Sequence, residues 1–186
     1  MRRALAIALL LAAPSFAVQA AEPFTLTSSA FKDGDVLPRK YGGFDVSRTP
    51  PCGGENVSPP LAWTNPPPQT KSFALVMQDP DGGNGLGSVH WVAYGIPAAK
   101  TGFAEGEASK AVQGWTGGKN SIGNDHYFGP CGPAAHSLHH YVITLIATDV
   151  AAGTLKPGMT KDELLAALRG HALAPASIVM RYKRPE

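Results

Sequence analysis

The chain has 186 residues, with 16 Lys and Arg against 14 Asp and Glu, and a formal net charge of only +2. That balance leaves no basic block to follow a nucleic-acid backbone, and no polybasic or strongly amphipathic stretch reads as a membrane anchor. Length and a 44% hydrophobic content suit one domain with a core of its own.

The first segment is a processing signal rather than a fold element. Arg2 and Arg3 precede the apolar run "ALAIALLLAAPSFAV", and small residues follow at Val18 and Ala20. The pattern predicts a secretory signal peptide over residues 1–20, cleaved after Ala20. The run falls short of the roughly 20 apolar residues of a membrane span, and Pro14 interrupts it. No later segment reads as a span, so no transmembrane segment is expected after signal cleavage. Removing Arg2 and Arg3 leaves the charges balanced. The expected product is a single domain over residues 21–186, periplasmic or secreted.

Export bears on the two cysteines, Cys52 and Cys131. In an oxidising compartment an even count predicts pairing, here a Cys52–Cys131 disulfide. Neither cysteine adjoins a Lys or Arg in sequence, so nothing local argues for an activated thiolate.

Glycine and proline, 21 and 17 in number, punctuate short apolar runs. That is the pattern of a mainly β domain with peripheral helices. "PFTLTSSAF" alternates over Phe24 and Leu26 and predicts a first strand. "SPPLAWTNPPPQT", broken by Pro59, Pro60 and Pro66 to Pro68, is expected to be an ordered loop packing Leu61 and Trp63 inward. "KSFALVMQ" reads as a strand buried on both faces, ending in the glycine loop "DPDGGNGLG". "VHWVAYGIP" and "LHHYVITLIATD" are further strands. Thr160 and Glu163 form a capping-box pattern before "LLAALR", with Gly170 as a left-handed stop. A short second turn is expected in "HALAPAS". In the last strand, "ASIVMRYK", Ile178, Met180 and Tyr182 face one way, and Ser177, Val179 and Arg181 the other.

Successive side chains of a strand alternate faces. His139 and Tyr141 therefore share a face and His140 takes the other, while His90 is placed with Val92 and Tyr94. Asp79, His90, His139 and Tyr141 all stand where strands begin or end. If the strands are neighbours, these groups meet at one rim, walled by "FGPCGP", whose N–H groups at Gly129, Cys131 and Gly132 are possible anion donors. Imidazole and phenol donors with an orienting carboxylate suit phosphate or another small anion. The plainer alternative is that each histidine ties down a loop, His140 above all.

Other chemistries lack their marks. No H-E-x-x-H motif argues for a metal, and no G-x-S-x-G elbow for a lipase-type nucleophile. No P-loop or dinucleotide fingerprint is present, so no cofactor is implied.

Four blocks, "GGENVSPPLAW" (53–63), "TKSFALVMQDPD" (70–81), "HWVAYGIP" (90–97) and "GPCGP…HHYVITLIATD" (129–149), resemble the phosphatidylethanolamine-binding protein family, and most of all its bacterial Raf kinase inhibitor-like branch. The resemblance implies a central β-sheet packed on a smaller sheet, with helices to one side. It also implies a small anion pocket using Asp79, His90, Gly129, Pro130, His139 and Tyr141. Asp79 is expected to orient His90 or accept an ammonium, and His139 and Tyr141 to donate to the anion. The chain departs from the family pattern at Gly82-Gly83, where Ala-Pro is usual, at Gly132, where bacterial members carry proline, and at Gly95, where Asn is common. The first two changes are expected to loosen the pocket walls.

The leading expectation is an exported, non-catalytic binding protein for a small anionic ligand or a phospholipid headgroup. The alternative is an interaction module of protease- or kinase-inhibitor type using the same region. A hydrolase with His90 or His139 as base is the third reading, and it lacks a nucleophile nearby in sequence.

Overall fold

The computed structural model describes residues 22–47, 51–110, 114–132 and 138–184. The expected signal peptide, residues 1–20, lies outside the described residues. Among the described residues eight strands form two sheets: β1 (Thr25–Thr27), β2 (Leu61–Thr64), β3 (Ser72–Asp79), β4 (Ser88–Pro97), β5 (Gly102–Phe103), β6 (Thr116–Gly117), β7 (His139–Thr148) and β8 (Ala172–Tyr182). The small sheet runs β1-β2-β5 and the large one β6-β4-β3-β7-β8, with antiparallel pairing throughout. One α-turn, α1 (Gly82–Gly85), follows β3, and a two-turn helix, α2 (Lys161–Ala167), precedes β8.

The unbroken apolar run of β3 puts it at the centre of the large sheet, covered on both faces. On one face Phe73, Leu75 and Met77 join the main core, with Trp63 and Phe103 of the small sheet packed over them. The Trp63 and Phe73 rings meet edge to face at 5.4 Å, and Trp91 and Phe103 at 5.0 Å. Such pairs are worth roughly 0.5–1.5 kcal/mol each beyond the area they bury. On the other face Ala74 and Val76 meet Leu164 and Leu168 at α2. Helix α2 starts as its sequence predicts: Thr160 and Glu163 close a reciprocal capping box, and Gly170 takes φ +79° beyond its end.

Three expectations change. "LAWT", between its flanking prolines, is not a loop but β2, the central strand of the small sheet. Prolines bound it on either side and none falls within it, so its own N–H groups remain available for pairing. Leu61 and Trp63 do point inward. "HALAPAS" holds no helical turn from Ala172 onward: β8 begins there and carries Pro175 opposite Ile146. An edge strand tolerates a missing N–H on its open side, and β8 is such an edge.

The third change concerns His90. Met77 pairs with Trp91, but the next residue, Gln78, pairs with Val89. β4 thus carries one extra residue, His90, and this bulge breaks the alternation. Val92 and Tyr94 belong to the α2 face. His90 does not join them; it turns to the face of Trp91 and Tyr141.

Cys52 and Cys131 are disulfide-bonded across a sequence separation of 79. The bridge fastens the segment around Cys52 to the 129–132 loop. Backbone bonds from Gly43 N to Pro130 O (2.7 Å) and from Gly54 N to Gly43 O (3.0 Å) reinforce the joint.

Candidate functional site

The ends of β3, β4 and β7 converge beside α1 and the 128–132 loop, enclosing a cavity of about 580 Å³. Asp79, His90, His139 and Tyr141 all line it, and all four are buried.

Asp79 ends β3, with each carboxylate oxygen engaged. Oδ2 accepts from His139 Nδ1 at 2.8 Å, and Oδ1 accepts from the backbone N–H groups of Asp81 and Gly82 at 2.9 and 3.0 Å. Asp79 therefore orients His139, not His90. His90 donates from Nδ1 to the carbonyl of Phe128 at 2.8 Å, stacks on the Phe128 ring and crosses Tyr141 edge to face at 5.0 Å. In both histidines the bond fixes the hydrogen on Nδ1. Nε2 is then an acceptor in the neutral ring and a donor only in the charged one.

Tyr141 lies beneath these rings with its hydroxyl buried and closing no hydrogen bond of good geometry. Its polar neighbours are the Asp79 carboxylate and the Gly132 N–H, and burial, reinforced by the Asp79 charge, pushes the phenol far above its ordinary value. It is a neutral O–H donor at any physiological pH.

The adjacent histidines divide the D-P-D segment between them. His140, exposed, gives both its backbone N–H (2.8 Å) and its Nδ1 (2.9 Å) to Asp81 Oδ2. These bonds hold the Asp81 carboxyl below its usual value. His140 is thus the clamp on the loop that follows β3.

Gly129 and Pro130 do not reach the cavity. Both are buried behind its wall, the Gly129 N–H engaged by Asn56 Oδ1 at 2.8 Å and the Pro130 carbonyl by Gly43. Cys131 and Gly132 form the wall instead. Nor does the glycine at position 82 loosen it. A Cβ on Gly82 would come within 2.6 Å of Ser88 Oγ, and one on Gly132 within 3.4 Å of both His139 Cγ and the Tyr141 hydroxyl. At Gly82 the missing Cβ lets Ser88 approach closely, whereas at Gly132 a Cβ would make only ordinary contact.

Phe128, from the expected FGPCGP wall, lines the cavity, and so do Ser88, Ser121, Ile122 and Arg184, which sequence reasoning missed. Arg184 left a trace. The buried alternation Ile178, Met180, Tyr182 continues to Arg184, which is only 8% exposed.

The Asp79–His139 pair has the arrangement of an oriented base. Yet among the described residues no serine, threonine or cysteine closes a hydrogen bond to His139, and Cys131 is tied in the disulfide. Among the described residues no three His, Cys, Asp or Glu side chains gather as a metal site requires, and no helix is long and apolar enough to cross a membrane.

Comparison with known proteins places these features in a wider set. The family model described as phosphatidylethanolamine-binding protein matches residues 27–183. The UPF0098 protein of Methanothermobacter thermautotrophicus is 36% identical over 161 residues, 86% of this chain and 98% of that one. A protein of Mycobacterium tuberculosis named as the lipoprotein LppC is 38% identical over 164 residues, 88% of this chain and 74% of that one. Among solved structures, Escherichia coli YbcL, described as a member of the mammalian PEBP family, superposes with a TM-score of 0.76 at 30% identity. The match covers 86% of this chain and 98% of that one. A PEBP homologue from Chlamydia trachomatis gives 0.72 at 31% identity, covering 86% and 96%.

Proposed function

The chain belongs to the phosphatidylethanolamine-binding protein family, and from that premise we propose that it is an exported, non-catalytic binding protein whose cavity holds a small oxyanion, a phosphate, phosphorylated headgroup or carboxylate. The observation that carries this reading is the buried group Asp79, His90, His139 and Tyr141, gathered from three strands onto one cavity. Burying so many polar groups costs stability that a purely structural role does not require. The volume falls in the range of small-molecule sites, enough for a headgroup and too small for a pair of acyl chains. Export is supported by the Cys52–Cys131 bridge and by the lipoprotein name of one relative. Among the described residues no nucleophile is bonded to His139, which favours binding over hydrolysis.

Isothermal titration with inorganic phosphate and with O-phosphorylethanolamine tests the reading. Saturable binding by the wild type, weakened at least tenfold in His90→Ala, is expected. Equal binding by both proteins removes His90 from the site. Turnover of phosphate or carboxylate esters that disappears in His139→Ala would make the protein a hydrolase.

A second reading, a protein-contact surface of inhibitor type, draws on the exposed apolar side chains at the same end. Leu86 is 93% exposed beside the α1 turn, and Ile122, on the cavity wall, is 50% exposed. Export argues against a cytosolic kinase as the partner.

A further inference from the structure

We infer that Arg184 supplies the permanent positive charge of the cavity and is the residue on which the ligand's anionic head is held. The inference rests on the anion-binding reading above and deepens it.

The cavity is not cationic by design of its best-placed residues. Asp79 and Asp81 bring two carboxylates to its walls. His90 and His139 commit their Nδ1 hydrogens to Phe128 O and Asp79. When neutral, each ring therefore has only an Nε2 lone pair to offer, and Nε2 donates to an oxyanion only in the charged ring. Tyr141 contributes an O–H without charge. A monoanion or dianion entering this space needs a cation that stays charged.

Among the described residues Arg184 is the one Lys or Arg side chain on the cavity wall. It is more than nine-tenths buried, its Nε closes no hydrogen bond, and among the described residues no carboxylate pairs with it. A buried guanidinium with an unanswered donor is costly to keep. Buried charges are ordinarily paired, and the counter-ion missing here is what the ligand provides. Burial does not neutralise arginine, which keeps its proton throughout the accessible pH range. Its planar fork matches the paired oxygens of a phosphate or carboxylate, giving two parallel charge-assisted bonds. The ligand class that follows is a small molecule with one terminal oxyanion, seated on Arg184.

The test compares phosphate binding by wild type, Arg184→Gln and Arg184→Lys at low ionic strength, with thermal unfolding run in parallel. Arg184→Gln is expected to bind phosphate at least tenfold more weakly while remaining folded, and Arg184→Lys to retain part of the loss. Binding by Arg184→Gln within twofold of the wild type overturns this inference and leaves the anion pocket standing. A wild type that binds neither phosphate nor O-phosphorylethanolamine overturns both. A measurement on the wild type covers the case in which Arg184→Gln does not fold. The Nε–H resonance of Arg184, assigned by its loss in Arg184→Lys, is expected to move on phosphate saturation. An unmoved resonance at saturation refutes the assignment.

Discussion

Asp79 and His139 stand 60 residues apart in the chain and meet across 2.8 Å, one at the end of β3 and the other at the start of β7. That single bond joins the loop after β3 to the entrance of β7, because the other Asp79 oxygen holds the N–H groups of Asp81 and Gly82. Replacing Asp79 by Ala leaves three donors, two of them buried, without their acceptor. Removing one partner of a buried, charge-assisted pair costs roughly 3–5 kcal/mol. Urea unfolding of Asp79→Ala is expected to show a loss of that order. A loss under about 1 kcal/mol would mean that Asp79 does not organise the loop.

The Asp81–His140 contact is of another kind. Both side chains are largely exposed, so the pair is worth about 1 kcal/mol or less. The His140 backbone N–H and ring hold the Asp81 carboxyl below its ordinary value of 3.8. The sign follows from linkage: the contribution is present above the unfolded value and disappears as pH falls through the lower folded one. Carboxyl NMR titration of the wild type is expected to give an Asp81 midpoint below 3.8, returning toward it in His140→Ala. A midpoint unaltered by that substitution removes the clamp.

Alkaline pH acts through the buried phenols. Burial raises Tyr127 and Tyr141 furthest above the ordinary value of 10.0, and Tyr41 and Tyr182 in the same direction. Below pH 10 both folded and unfolded chains keep these protons and the full stability is present. Above it the unfolded phenols ionise first, the native state binds more protons, and stability falls as pH rises. Thermal unfolding between pH 8 and 11 is expected to show a steep decline starting near pH 10. Tyr141→Phe, which removes a hydroxyl that closes no hydrogen bond, should make that decline shallower. A flat profile contradicts the burial of these rings.

The disulfide closes a separation of 79 residues, for which loop entropy predicts about 4 kcal/mol. It also pins the wall formed by Cys131 and Gly132. Cys52→Ser/Cys131→Ser and the reduced wild type are expected to melt at lower temperature together. In amide exchange, protection should fall in the 129–132 segment before the β3–β7 core. An unchanged melting temperature on full reduction refutes a stabilising role.

Local pattern in the sequence determined much of this molecule. The near-continuous apolar run of β3 made it a strand covered on both faces, the Thr160–Glu163 pair set the start of α2, and alternation in β7 separated His139 and Tyr141 from His140. These are properties of neighbouring residues, and neighbouring residues suffice to express them. The site itself was decided at longer range. Strict alternation sent His90 to the wrong face, because the bulge opposite Met77 and Gln78 exists only in the pairing of β4 with β3. Gly129 and Pro130 lost their place on the wall because the 41–43 segment packs against them. Arg184 continued a visible alternation, yet its burial beside the cavity depends on where β8 docks against β7. Faces and caps are encoded within a few residues, whereas a cavity exists only between strands, and its charge is set by which side chains their registers bring to its wall.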